Sequence, residues 1–441
     1  MQILNRAESD IAKYAEAVLP NGLRVIVASR PMTRTVAWQM SFEAGMIDDK
    51  AHLAHLVEHL VLDYKDLKTR IHSAGAHYNG GTKLDEMQFE FAGHVESLPV
   101  GFELMQNIFR PLEVTDERTK KEAEVLKREM RESGGIRLLL NTAHYRVLGG
   151  DEVGVRYTVK FRKKLKLTGE DVSRFHREHF KIGKTTLSFV SPLSIDDALE
   201  MIGTAMGDFT DEESTGGQRK IEYSKKKKFH SNRNTYMPTL AAWHQFPNPS
   251  FMQAIELAFL TQIMSGTGKL YQKLRNENQL SYSVGCQLSS FNATSYQLIY
   301  LNLKGRRIGK ATRLITEVLD DMCRVMEGNE FEQFRKGYAR KLDSSEEQAG
   351  VLCELLMRLN RYKAKRQWSG SIANHLITPQ TLKQELSAMT PESVATTAQT
   401  LFAPANRHVF LSGYYWIPGW MKARKFANGG QDKKGDDGKD A

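Results

Sequence analysis

Long apolar runs are what this chain of 441 residues most plainly lacks: nowhere does it approach the ~18 uninterrupted apolar residues that a membrane-crossing helix needs. A helical membrane protein is excluded on that ground, and no membrane partner is expected. The opening residues MQILNRAESDIAKYAEA hold no apolar core and include acids, so neither a secretory signal nor an organelle presequence is evident, and a cytoplasmic location is expected. Cysteine is scarce as well. Cys286, Cys323 and Cys353 are odd in number, far apart and set in apolar or helical contexts, which argues against a disulfide framework and for buried thiols. Also absent are the aromatic-basic stripe and the recognition-helix pattern that nucleic-acid binders use. The net charge of +10, part of it in one run from Lys225 to Lys228, is therefore read as a basic solvated surface, and no nucleic-acid partner is expected. Such a charge could still draw acidic peptides toward a cavity.

What is present looks globular, with 41% hydrophobic and 26% charged residues, and the length fits two domains of roughly 200 residues. A turn at Pro20-Asn21-Gly22 leads into LRVIVASR and TVAWQMSFEAG, two runs that read as paired strands. A helix follows around 51–63, then the polar, Gly-rich stretch GAHYNGGTKLD, a strand MQFEFAG, and helices near 96–110 and 116–133. LTGEDVSRFHREHF opens on a Thr-x-x-Asp capping pattern and predicts a helix over 167–180. KTTLSFVSPL then reads as a strand and SIDDALEMIGTAMGDF as a helix. The second half repeats these element types: strands TLAAWHQFP, SYSVGCQLSS, YQLIYLNLKG and HVFLSGYY, with helices from Ser250 to Met264 and near 268–278, 307–327, 330–346, 348–363 and 379–401. The fold class is accordingly α+β, a duplicated unit in which each half is a sheet covered by helices, with no residue-level repeat. Residues 1–209 are expected to form the first domain, 210–236 a linker, 237–427 the second domain and 428–441 a disordered tail.

The chemistry concentrates in AHLAHLVEHLVL. At helical spacing His52, His55, Glu58 and His59 fall on one side, while Leu53, Leu56, Val57 and Leu60 cover the other. His55 and His59, four residues apart, can chelate one metal ion from a single face, and neutral imidazole is a favoured zinc ligand. Glu58 stands beside them, placed to take a proton from a water at the metal rather than to bind the metal. The order H-x-x-E-H is one of the known catalytic patterns. A pair of solvated histidines on an exposed helix face fits the same five residues, and His52 is an exposed alternative ligand.

Support comes from KKEAEVLKREMRES, whose helical wheel sets Glu122 and Glu129 on the face that carries Val125 and Leu126. An acid on a core-facing stripe needs a cationic partner, because an unpaired buried carboxylate costs several kcal/mol. A metal ion is one such partner and a buried Arg or Lys is another. Two histidines and one carboxylate would leave zinc an open position for water, the catalytic rather than the structural arrangement, and the implied reaction is amide hydrolysis.

These residues resemble the pitrilysin-type zinc peptidases, the family that includes insulin-degrading enzyme and the mitochondrial processing peptidase. His55, Glu58 and His59 match its inverted motif, and Glu122 and Glu129 match its two downstream glutamates with their seven-residue separation. The resemblance implies one zinc ion per chain, held by His55, His59 and Glu129, with Glu122 as a supporting acid. LPNGLRVIV looks like the family's first strand. KLYQKLRNENQLSYSV is similar to the second-domain segment in which an Arg and a Tyr seven residues apart contact the peptide, here Arg275 and Tyr282; a guanidinium can hold a substrate carbonyl and a phenol can stabilise an oxyanion. Two departures stand out. The separation from His59 to Glu129 is several residues shorter than the family's, and the Gly before the metal helix gives way to the stretch around His52.

By the same resemblance the two domains, each a mostly antiparallel sheet covered by helices, form half of a clam-shell. The expected assembly is a homodimer, with a heterodimer alongside a related subunit as the alternative, and Arg275 and Tyr282 complete the facing subunit's site. Peptide substrate would add as a strand to the sheet edge near Ala76 to Thr82. The expected function is zinc-dependent endopeptidase action on short or unfolded peptides, including precursor or leader segments. A catalytically silent peptide-binding subunit is the competing reading.

Overall fold

A computed structural model describes residues 1–48, 52–63, 65–132, 167–211, 229–232, 239–291, 294–366, 368, 371–413 and 417–430 of the chain. Most of the expected linker and tail lies outside these residues. The chain divides into two compact units. One comprises Met1–Met130, Arg156–Lys220 and Lys341–Leu382; the other comprises Arg131–Val155, Ile221–Arg340 and Lys383–Ala441. Each is α+β and is built on one mostly antiparallel sheet.

The first unit's sheet has seven strands: β1 (Gln2–Glu8), β2 (Lys13–Val18), β3 (Arg24–Ser29), β4 (Thr35–Phe42), β5 (His77–Thr82), β6 (Met87–His94) and β7 (Thr185–Ser191). They lie in the order β1-β2-β3-β7-β4-β6-β5, so β1 and β5 are the edges, and only β3 and β7 run parallel. Gly22, at φ +89°, makes the turn between β2 and β3, where an L side chain would be strained.

Strand alternation divides the sheet's side chains between two faces. On one, Trp38 stacks on Phe91 at 5.8 Å and Phe102 stacks on Phe189 at 5.9 Å. That face meets α1 (Leu53–Val61), α2 (Lys65–Ser73), α3 (Leu98–Phe109), α4 (Asp116–Glu132), α5 (Gly169–His179) and α6 (Ile195–Met206), either directly or through one another. Thr168 caps α5 reciprocally with Asp171, as the capping pattern predicts.

The opposite face carries Tyr14, Ile26, Ala28, Ala37 and Val190, which are covered by Ala349, Leu352, Cys353 and Leu356 of a late helix, Ala349–Arg366. We call it the crossover helix, because it reaches this sheet from the second half of the chain. Buried pairs pin its segment: Tyr14 donates to Glu346, Arg361 pairs with Glu86, and Lys363 lies 3.4 Å from Glu16. Burial alone would push the Glu16 carboxyl up, but Arg24 and Lys363 hold it below the usual range.

The second unit's sheet has five strands, β8 (Phe229–Asn232), β9 (Thr239–Pro247), β10 (Val284–Phe291), β11 (Thr294–Asn302) and β12 (Arg407–Ser412), in the order β10-β11-β9-β12-β8. The helix Phe251–Met264 follows β9 and packs against β10, and Ser250 closes a capping box at its start. Ile308–Met322, Pro391–Phe402 and Ile417–Ala427 complete the helical cover.

Several elements differ from the sequence expectation. The N-terminus forms β1 and β2, and the Gly-rich stretch, which pattern alone left without an element, is strand β5, at the sheet edge that the resemblance implied near Ala76 to Thr82. The helix expected near 268–278 is one turn, Lys269–Tyr271, that continues as a π-helical segment, Gln272–Glu277. The helix expected over 379–401 is two, Pro379–Ala388 and Pro391–Phe402, because Thr390 caps the second and Pro391 lacks the N–H that continuity would need. All three cysteines are free; Cys286 and Cys353 are buried as expected, whereas Cys323 is only partly so. Among the described residues no helix is long and apolar enough to cross a membrane.

Candidate metal centre

Helix α1 buries Leu53, Leu56, Val57 and Leu60 and leaves His55 and His59 half-buried on its other side. Its start differs from expectation. His52 is fully buried rather than exposed, and it takes the N-cap position at φ +68°, a left-handed conformation that a non-glycine residue seldom adopts. It is not among the residues that converge on the site.

Three residues do converge. One ligand atom each from His55, His59 and Glu129 lies within 4.8 Å of the others. Glu129 Oε2 is 3.2 Å from His59 Nε2 and 3.8 Å from His55 Nε2. Ligand atoms that share a tetrahedral zinc at bond lengths near 2.0–2.2 Å stand about 3.3 Å apart, so the group is close to zinc spacing. The two imidazole planes are nearly perpendicular, at 81°, with centroids 4.9 Å apart. Glu122 stands behind them, its Oε1 2.9 Å from His59 Nδ1. A carboxylate that accepts Nδ1–H fixes the tautomer with the Nε2 lone pair aimed at the ion, the usual outer support of a metal-bound histidine. The donor set therefore suits zinc, and it leaves coordination positions open.

Helix α4 differs from the expectation in one respect. Its wheel placed both acids on a buried stripe, yet the Glu129 side chain is 50% exposed and Glu122 is 21% exposed. Leu126 and Ala123 occupy the core, while the acids border the stripe where it opens toward α1. Their partners are histidines, and no lysine or arginine pairs with either acid among the described residues.

Glu58 is only 7% exposed and does not join the three-residue group. Thr82 Oγ1 donates to its Oε2 at 2.5 Å. Burial pushes its carboxyl up; the Thr82 hydrogen bond and His59 oppose that, and Glu129 adds to it. Strand β5 passes close by: a Cβ on Gly80 would fall 2.9 Å from Glu58 Cγ and 2.8 Å from Leu62 Cδ1. Sequence reasoning missed Gly80 and Thr82 as site residues. Their signal was the Gly-Gly-Thr run between a helix and a strand, the mark of close backbone approach.

In the second unit, Arg275 and Tyr282 come together. The guanidinium lies over the Tyr282 ring at 4.1 Å and over the Tyr271 ring at 4.9 Å, and Nη1 donates to the Tyr282 carbonyl at 3.4 Å. Tyr282 is 82% exposed, so its phenol is open to a ligand.

Comparison with known proteins settles the family. Residues 24–137 match the model described as insulinase, peptidase family M16, and residues 166–338 match that of the peptidase M16 inactive domain. The chain belongs to peptidase family M16. All four residues of the H-x-x-E-H and Glu129 set lie in the first M16 match. Over 200 residues the chain is 22% identical to the probable β subunit of the mitochondrial-processing peptidase of Arabidopsis thaliana, a match that covers 42% of this chain and only 37% of that protein. Among solved structures, a protease from Helicobacter pylori superposes with a TM-score of 0.78 at 13% identity, covering 92% of this chain and 100% of that one. An M16-like peptidase from Alicyclobacillus acidocaldarius gives 0.74 at 18% identity, covering 92% and 99%. A peptidase M16 inactive domain from Pseudomonas fluorescens gives 0.72 at 14% identity, covering 91% and 98%. At these identities the structural likeness establishes the shared M16 fold.

Proposed function

We propose that this M16 chain is a zinc-dependent endopeptidase for short or unfolded peptides. The observation that carries the proposal is the convergence of His55, His59 and Glu129 beside a buried, separately anchored Glu58. Zinc bound there supplies Lewis-acid polarisation of the scissile carbonyl and acidifies water. Glu122 keeps His59 in the ligating tautomer. Glu58, held at one oxygen by Thr82, takes the proton of the attacking water and hands it to the departing amine.

The free edge of β5 supports an extended substrate. Among the described residues strand β5 pairs only with β6, and its Gly80 abuts Glu58, so a peptide hydrogen-bonded along that edge passes the site. Main-chain bonds of this kind read little sequence. Arg275 and Tyr282 fit the part of substrate contacts: the exposed phenol stabilises an oxyanion and the guanidinium holds a carbonyl.

The same proposal includes one zinc per chain, a clam-shell dimer with Arg275 and Tyr282 facing the partner's metal, and a cytoplasmic location, for which three free cysteines suit a reducing compartment. A second chain of this sequence suffices chemically, and a related subunit is the other candidate. The silent-subunit reading draws on the inactive-domain match, but that match begins at residue 166 and holds none of the metal group. Cleavage of an internally quenched peptide by the zinc-loaded chain, with and without chelator, is the test. Chelator-sensitive cleavage is expected; a zinc-loaded dimer that cuts no peptide overturns the enzyme and leaves the binding subunit.

A further inference from the structure

The last helix, Ile417–Ala427, buries Gly419, Ala423, Phe426 and Ala427 and turns its other side outward. Ile417, Met421, Arg424 and Lys425 are all exposed there and, at helical spacing, fall within about 100° of one another. The two apolar side chains stand well out, Ile417 at 65% exposed and Met421 at 60%.

Both flanks of this strip are fixed within the second unit. On one, Trp420 donates through Nε1 to Ser231 Oγ at 3.2 Å, meets the Phe229 ring edge-on at 5.4 Å, and lies under the Arg424 guanidinium at 5.3 Å. On the other, the Lys422 side chain crosses the start of the helix Ile308–Met322 and leaves no room for a Cβ on Gly309. A Cβ on Gly419 would fall 3.0 Å from the Gly305 carbonyl oxygen. The sequence at that helix start is LKGRRIGK, so Lys304, Arg306 and Lys310 border the strip.

This surface has cations without acids. Neither residues 278–316 nor residues 393–431 contain an Asp or Glu. Elsewhere in the unit the charges are matched: Asp321 and Glu330 hold Lys269, and Glu317 holds Lys273 and Arg313. Among the described residues Lys304, Arg306, Lys310 and Arg424 pair with no acid. Like charges without counter-ions attract an anionic partner, and apolar side chains in water favour a partner that buries them. A nucleic acid answers the cations through its phosphates but leaves Ile417 and Met421 wet. The head groups and outer acyl chains of an anionic bilayer answer both.

We infer that the last helix and the turn Gly305–Arg307 form a docking face for an anionic lipid surface. Ile417 and Met421 enter the acyl boundary, Trp420 lies at head-group depth, and the bordering cations meet lipid phosphates. Such a helix lies on the bilayer, so no membrane-crossing helix is needed. The inference is independent of the peptidase reading, whose metal group belongs to the other unit.

The test is co-sedimentation of the full chain with vesicles of phosphatidylglycerol and phosphatidylcholine in equal parts, against vesicles of phosphatidylcholine alone. Binding to the anionic vesicles and none to the neutral ones is expected. Arg306→Gln/Lys310→Gln/Arg424→Gln should lower the partition coefficient more than tenfold, at about fivefold per cation removed. Ile417→Ser/Met421→Ser should lower it about tenfold. Unchanged thermal melting shows that both variants have folded. No binding to either vesicle, or equal binding to both, overturns the docking face. So does anionic-vesicle binding that survives either set of substitutions; survival of the Ile417→Ser/Met421→Ser change alone would leave a surface for polyanions such as nucleic acid.

Discussion

The two units repeat one path and use it differently. In the first, β4 leads to α1, which packs on the edge strand β5, which pairs with β6; in the second, β9 leads to the helix Phe251–Met264, which packs on the edge strand β10, which pairs with β11. Helix α1 presents His55, Glu58 and His59 toward α4 and β5. The matching helix of the second unit, FMQAIELAFLTQIM, holds one ionisable residue, Glu256, which is buried and accepts from Thr397. At the edge, Gly80 lets β5 approach Glu58, while at Gly285 of β10 the space for a Cβ is filled by the Tyr300 ring of its own sheet. The frame is therefore insufficient for a metal site. Three side chains on one helix, two acids on another and an edge-strand glycine that faces the metal helix make the difference.

If that comparison is right, Glu58→Gln should have the largest effect, a fall in peptide cleavage of about 10³-fold with zinc retained, because it removes the proton acceptor and leaves all three ligands. Comparable cleavage by this variant would take Glu58 out of the mechanism. Glu122→Gln should weaken zinc binding by about 10- to 100-fold, the usual cost of losing a histidine's outer carboxylate, as measured by chelator competition. An unchanged affinity would reduce Glu122 to a surface acid. Gly80→Ala removes the close approach of β5 to the metal helix, which the second unit's edge strand does not make to its own helix through Gly285. Its Cβ would push on Glu58 and Leu62, and cleavage should fall by about tenfold at constant zinc content. The smallest effect joins the two units: mixing Glu58→Gln chains with Tyr282→Phe chains should restore about a quarter of wild-type cleavage, since half the dimers are mixed and one of their two sites is whole. Failure of any restoration would place Tyr282 in its own chain's site or in none.

The metal helix was legible because i, i+4 spacing is a local property, and burial of Leu53, Leu56, Val57 and Leu60 follows from the same 100° periodicity. Strand β5 was not. HYNGGT has neither β-branched alternation nor an apolar face, and it is a strand because β6 offers it a ladder and α1 tolerates no Cβ at Gly80. Nor did the pattern show where the crossover helix packs. Its apolar stripe marks a helix, but its choice of sheet depends on Glu16, Glu86 and Tyr14, which lie more than 250 residues upstream and bury polar atoms that only a distant partner can satisfy. His52 misled for a related reason: helical spacing says nothing of a residue that has left the helix for a left-handed cap.

Elemental analysis of the purified chain and of its His55→Ala variant tests the central claim most directly. One zinc per wild-type chain, lost in the variant, is the result the account predicts. A wild-type chain that takes up no zinc, or a His55→Ala chain that keeps its full complement, would contradict it.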